Sequence, residues 1–226
     1  MPPVDLERLK QYLADQVQRQ PVIDTLDSMV GVDGKFAKQN REEVFTKRIL
    51  CPHIRNFFYN HVREDLGLPD DKIALGLGAE GFDGQERIKD FGFTPAGQTP
   101  HLFTKDLVIK PFPPKAWLRT EAGDLRQYKA CPDFAIRKPL PFSVVGEVKY
   151  FKSESPKRAV IELYNASRQA LFYLATFHDQ YEAALLVFAD ASRSHAFFEG
   201  LELLKPDLLR RFGQASGIHL LALRLT

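Results

Sequence analysis

Three observations predict an α/β fold, a mixed β-sheet flanked by α-helices. Stretches of β-type composition follow one another at about 102–110, 116–121, 129–137 and 142–151, separated by turns rich in proline or glycine. From Ser155 and Pro156, a plausible N-cap and first helical residue, 22 positions then carry apolar residues at helical spacing through Val160, Leu163, Leu171, Leu174 and Phe177. The rest alternates: a continuous apolar run at 183–189 typical of a buried strand, a helix near 195–212 and a last strand near 218–225. Strands in succession followed by alternating helix and strand build a sheet that helices cover.

The elements before the sheet are helical. Leu6, Leu9, Leu13 and Val17 recur at helical spacing between Asp5 and Arg19. A second helix begins near Asn40, where Asn40 and Glu43 read as an N-cap with its third-position partner and Val44, Leu50, Ile54, Phe58 and Val62 extend an apolar stripe. Pro52 is expected to kink or break it. Residues 65–101 hold seven of the 14 glycines with Pro69, Pro95 and Pro100, a composition for turns rather than long elements. The chain of 226 residues therefore reads as one domain: a helical part at 1–64, a Gly-rich insertion at 65–101 and a core at 102–226.

Composition narrows the function classes. With 44% hydrophobic and 27% charged residues the chain is of ordinary globular type. No apolar run approaches the ~18 residues of a membrane span, and Met1 to Gln20 carries acids and bases where a signal peptide would be apolar, so a cytoplasmic protein without a membrane partner is expected. Cys51 and Cys131 stand alone, with no Cys or His at zinc-ligand spacing. There is no phosphate loop, no HExxH and no Gly-x-Ser-x-Gly elbow. Gly76-Leu-Gly78-Ala-Glu-Gly81 spells a dinucleotide fingerprint, but too little strand precedes it and no apolar helix follows. The near-neutral total of 31 bases and 29 acids hides a gradient, since residues 101–170 hold 13 bases against seven acids and the remainder 18 against 22. On charge alone that middle segment is either a solvated face or a surface for a polyanion.

The same segment holds the chemistry. Pro132-Asp133 lies in one predicted strand and Glu147-Val148-Lys149 ends the next, with Lys138-Pro139-Leu140-Pro141 as the turn of a hairpin. Residues two apart on a strand share a face, so Glu147 and Lys149 project with Ser143 and Val145 while Val144, Gly146 and Val148 look the other way. Two carboxylates and an amine can converge. Mg2+ takes oxygen ligands, one or two of them carboxylates, and keeps waters and phosphate oxygens for the rest, so Asp133 and Glu147 would serve it. An adjacent lysine can position an attacking water or stabilise charge growing on a phosphoryl group. Pro-Asp and acid-x-Lys each occur three times in the chain. Only this combination puts both on neighbouring predicted strands ahead of a long helix.

These residues resemble the PD-(D/E)xK nuclease superfamily, over roughly 40–226 in element order. The resemblance implies a restriction-endonuclease-like core and a Mg2+-dependent nuclease, with Mn2+ able to substitute, that hydrolyses DNA to leave 5′-phosphates. It places Asp133, Glu147 and Val148 at the metal and Lys149 beside the attacking water. Glu43, or in its place Glu42, would be the acid contributed by the early helix, although a capping role also accounts for Glu43. Gln169 and Tyr173, four residues apart on the long helix, resemble the Gln-x-x-x-Tyr pattern of RecB-like and lambda-exonuclease-like members and would orient the lysine or the substrate. Glu162 falls on the same helical stripe. Lys152, Lys157 and Arg158 at the strand exit and helix start are the phosphate-contact candidates, with Arg137 and Lys138 in the basic segment around the acids. The expectation is a restriction or defence endonuclease, with a homodimer as a plausible assembly. An exonuclease or repair nuclease, and a silent nucleic-acid-binding or interaction domain, are the alternatives.

Overall fold

The structure, a computed structural model, describes residues 5–32, 41–62, 93–94, 132–136, 141–176, 178–179 and 181–226. The predicted strands at 102–110 and 116–121, nearly all of the 65–101 insertion, and Asn40, Cys131, Arg137 and Lys138 lie outside the described residues.

Helix α1 spans Leu6–Gln18, opened by Asp5, whose carboxylate accepts the Arg8 N–H at 2.9 Å. Its stripe of Leu6, Leu9, Leu13 and Val17 is buried as the spacing predicts. Helix α2, Val22–Val32, stands where the sequence pattern predicts no element; it packs Val22 and Leu26 into the same core. The next helix comes in pieces: α3 at Arg41–Phe45, a π-turn at Thr46–Leu50 and α4 at Cys51–Val62. The break expected at Pro52 takes the form of this wider turn. The Cys51 N–H reaches back five residues to the Thr46 carbonyl, and Pro52, with no N–H of its own, follows where the helix resumes.

Among the described residues the sheet has five strands in the order β1-β2-β3-β4-β5: Phe93–Thr94, Phe134–Ile136, Val144–Phe151, Ala183–Asp190 and Ile218–Arg224. β1, β2 and β3 are antiparallel, whereas β3, β4 and β5 run parallel, so the sheet is mixed. Helix α5, Pro156–Thr176, makes the crossover between β3 and β4. The single helix expected near 195–212 is two, α6 at Ala196–Glu202 and α7 at Pro206–Ser216. Pro206 cannot return a hydrogen bond to the preceding turn and is instead the first residue of a new helix. Gly217 ends α7 at φ 69°, a conformation that favours glycine.

Helices cover both faces, and the strands alternate accordingly. Val144 and Val148 of β3 and Leu185, Val187 and Ala189 of β4 join the core made by α1 to α4. Val145 with Ala184, Leu186 and Phe188 packs against α5 and α6. β4 is apolar up to its last residue, Asp190, because both its faces are covered.

Gly146 settles how closely β2 lies on β3. A Cβ there would overlap the Phe134 ring, which is fully buried. Gly146→Ala is therefore expected to cost about 1–3 kcal/mol through overpacking, read as a lowered urea midpoint at unchanged m-value. A midpoint equal to wild type would show that the ring has room to retreat.

Candidate active site at the outer edge of β3

Within the described residues β2 pairs with β3 only at Val144, Val145 and Gly146. Beyond that point, among the same residues, the outer edge of β3 continues without a strand beside it, and its N–H groups need other acceptors. Carboxylates supply them. Asp133, one residue before β2, gives its own N–H to the Gly146 carbonyl and accepts the Val148 N–H on Oδ2 at 2.7 Å. Two residues on, the Tyr150 N–H donates to Oε2 of Glu42 from α3 at 3.2 Å. A short β2 thus draws two acids, from distant parts of the chain, onto one strand edge.

Glu147 and Lys149 come from β3 itself and share a face, as the alternation predicts. The Lys149 ammonium lies 2.5 Å from Glu147 Oε1 and 3.8 Å from Glu42 Oε1. Glu147 is only 5% exposed, and its other oxygen, Oε2, accepts the Tyr173 hydroxyl of α5 at 2.9 Å. Asp133, Glu147, Lys149 and Tyr173 are therefore brought together, and Val148 lies among them by its backbone. In a strand the N–H and C=O of one residue point to the same edge, so the Val148 carbonyl faces the side on which Asp133 sits; its side chain is buried in the opposite core.

Three acids around one lysine leave an excess of negative charge in a poorly solvated place. Burial, then the neighbouring charge of Glu147, pushes Asp133 up to about 7, against the pull of the Val148 N–H and Lys149. Burial likewise raises Glu42, with Glu147 and Glu162 adding to the rise and Lys149 and the Tyr150 N–H opposing it. Burial works to lower Lys149, but Glu147, by charge and hydrogen bond, and then Glu42 and Asp133 lift it above the ordinary lysine value. Lys149 is a cation at neutral pH.

The other predicted residues are placed less tightly. Gln169 is half-buried on α5, and among the described residues no hydrogen bond links it to Glu147 or Lys149. Glu43 belongs to α3, but its side chain lies outside what is described; of the two early acids, Glu42 is the one that reaches Lys149. Nothing in the local sequence separates them, since the deciding hydrogen bond joins residues 108 positions apart. An open cleft of about 550 Å³ adjoins the cluster, with Glu42, Lys149, Lys152, Ser153, Arg158 and Glu162 among its walls. Lys152 and Arg158 are exposed there, whereas Lys157 does not line it.

The Tyr173 hydroxyl is a testable support of the cluster. Tyr173→Phe leaves a buried carboxylate oxygen without its donor, an expected loss of about 1–3 kcal/mol in urea denaturation. A loss below roughly 0.5 kcal/mol, the range of neutral surface changes, would mean that Glu147 is held without it.

Among the described residues no helix is long and apolar enough to cross a membrane, and no group of three or more His, Cys, Asp and Glu stands ready-made as a metal site. The donor chemistry nevertheless suits a hard divalent ion, which needs few protein ligands: carboxylate oxygens and a backbone carbonyl face one edge, and the charge they carry exceeds what Lys149 neutralises. No family model, curated protein or solved structure matches this chain.

Proposed function

We propose that this chain is a metal-dependent deoxyribonuclease of the PD-(D/E)xK kind, a restriction- or defence-type endonuclease that acts in the cytoplasm and leaves 5′-phosphates. The observation that carries this reading is the meeting of Asp133, Glu147 and Lys149 at the outer edge of β3, beside an open cleft with cationic side chains on its wall. Asp133, Glu147 and the Val148 carbonyl would hold Mg2+ or Mn2+, with Glu42 close by. When bound, such an ion lowers the pKa of a water and neutralises charge on a phosphoryl oxygen.

The protein's own groups do the rest. Tyr173 fixes one oxygen of Glu147 and Lys149 the other, so the carboxylate is held in one orientation beside Lys149, which lines the cleft. Lys149, cationic, donates hydrogen bonds to an attacking water or a non-bridging phosphate oxygen; as an ammonium it positions rather than deprotonates. Lys152 and Arg158 meet flanking phosphates, a contribution that weakens as salt rises.

The test incubates supercoiled and linear DNA with the protein and Mg2+ or Mn2+. Nicking or linearisation of closed circles is the expected result. The Tyr173–Glu147 hydrogen bond lends support to the second reading, a RecB-like exonuclease, because the sequence pattern of that group places a tyrosine at this point of the helix. Intact circles beside degraded linear DNA would establish that reading in place of the first. No turnover of either substrate would reduce the protein to a binding domain.

A further inference from the structure

The two cationic side chains on the cleft wall differ. Arg158 donates from both Nε and Nη2 to Glu162 Oε1, each at 3.0 Å, one turn further along α5. Among the described residues Lys152 makes no such pair. An Arg–Glu pair four residues apart is common on helices, and if helix stability explained it the acid would come first and the base second. Here the order is reversed. Arg158 is the third residue of α5, Lys157 the second, and the first turn contains no acid. Cations at that end oppose the helix dipole, so the pair adds less to helix stability than the opposite order would. Glu162 shares the cleft wall with Glu42, whose carboxyl its charge helps to raise, and Arg158 offsets that local negative charge.

We infer that Glu162 is a positioning residue that holds the Arg158 guanidinium at the cleft wall in the free protein and releases it to a backbone phosphate of the bound nucleic acid. This rests on the nuclease reading above. The guanidinium fork fits a carboxylate and a phosphate with the same geometry, so one oxyanion replaces the other without the arginine having to search for its position. Arg158 is 60% exposed on its side chain, and pairs so exposed are weak, so the exchange meets little resistance. It leaves a signature in affinity. The phosphate gives up about 0.9 of a counterion whether Arg158 comes from Glu162 or from water, since a single freed carboxylate condenses no counterion. What the exchange costs the wild-type protein is the weak Arg158–Glu162 pair and a carboxylate left near the backbone, so the contact keeps its salt dependence and loses affinity.

The experiment measures binding of the full-length chain to a labelled duplex oligonucleotide by fluorescence anisotropy across a KCl series, with Ca2+ in place of Mg2+. Wild type, Glu162→Gln, Arg158→Gln and the double variant are compared. Arg158→Gln is expected to lower the slope of log Kd against log salt by about 0.9, and Glu162→Gln to bind roughly 2- to 5-fold tighter at low salt with the slope of wild type. In the Arg158→Gln background the Glu162→Gln substitution brings no such tightening. A Glu162→Gln affinity equal to wild type, or an equal tightening with and without Arg158, overturns the inference while leaving the nuclease reading intact. Wild-type protein with no salt-dependent binding defeats the nuclease reading, and the inference with it.

Discussion

Glu147→Gln is expected to remove Mg2+-dependent cleavage almost completely, with rates falling on the order of 10²- to 10³-fold or more, the loss typical when one group stabilising a charged transition state is removed. The substitution is nearly isosteric, and a glutamine oxygen can still accept the Tyr173 hydroxyl, so the 2.9 Å contact to α5 survives. What disappears is the negative charge that holds Lys149 and would bind a divalent ion. Lys149→Met should cause a comparable loss for a different reason: the acids stay, but the cation facing water and phosphate is gone. Initial rates of supercoiled-plasmid cleavage, with thermal unfolding as a check on folding, give the comparison. Cleavage by either variant within about tenfold of wild type would place the chemistry elsewhere or identify a contaminating nuclease.

Asp133→Asn should do two opposite things. It abolishes cleavage and, in metal-free protein at pH 8, it makes the fold more stable. The sign follows from the raised carboxyl. In the native state Asp133 keeps its proton up to about 7, because burial and Glu147 disfavour the anion, whereas in the unfolded chain it loses it in the ordinary carboxylate range. Between those limits unfolding releases a proton. Wild-type stability therefore falls as pH rises from about 4 to about 7 and remains low above that. At ~1.4 kcal/mol per pKa unit the span amounts to a few kcal/mol. Asparagine keeps an oxygen for the Val148 N–H and carries no charge, so the variant avoids this loss. Its advantage in urea denaturation should be clear at pH 8 and vanish near pH 4. Mg2+ should raise wild-type stability at pH 8 and leave Asp133→Asn unmoved, because the ion binds only the native carboxylates. A variant less stable than wild type at pH 8 would mean that Asp133 is not held against neighbouring charge.

The loss of stability and the expected activity have one origin. Two acids reach the edge of β3 because β2 begins only at Phe134, there they meet Glu147 of β3 itself, and the fold tolerates the repulsion of the three. Such a cluster is poorly suited to holding a protein together and well suited to taking up a cation.

Much of this arrangement is legible in the amino-acid sequence. Alternation along β3 places Glu147 and Lys149 on one face and Val144 and Val148 on the other, since side-chain direction in a strand depends only on position. The apolar stripe of α1 and the start of α5 at Pro156 are local signals too, and both match. Tyr173 reaches Glu147 because α5 crosses back over β3, which follows from a parallel connection between β3 and β4. Where the structure departs from the pattern, a competing physical term decides. The helix near 195–212 divides at Pro206 because one missing N–H outweighs a continuous apolar pattern. The interruption near Pro52 becomes a π-turn rather than a kink because the flanking residues Phe45, Leu50 and Cys51 are buried in the core and keep the helix in place.

By itself, then, the amino-acid order determined the fold class, the helix and strand faces and the trio of Asp133, Glu147 and Lys149, because periodicity and residue chemistry act over a few positions. Only the tertiary structure decided that Glu42 completes the cluster, that Asp133 is anchored on Val148, and that Arg158 is held by Glu162 at the cleft. The first two depend on where β2 begins and on which N–H of β3 each acid finds across the fold, a matter of three-dimensional proximity that no local pattern encodes. The Arg158 pair is local in sequence, but its place on the cleft wall is set by how α5 packs against the sheet.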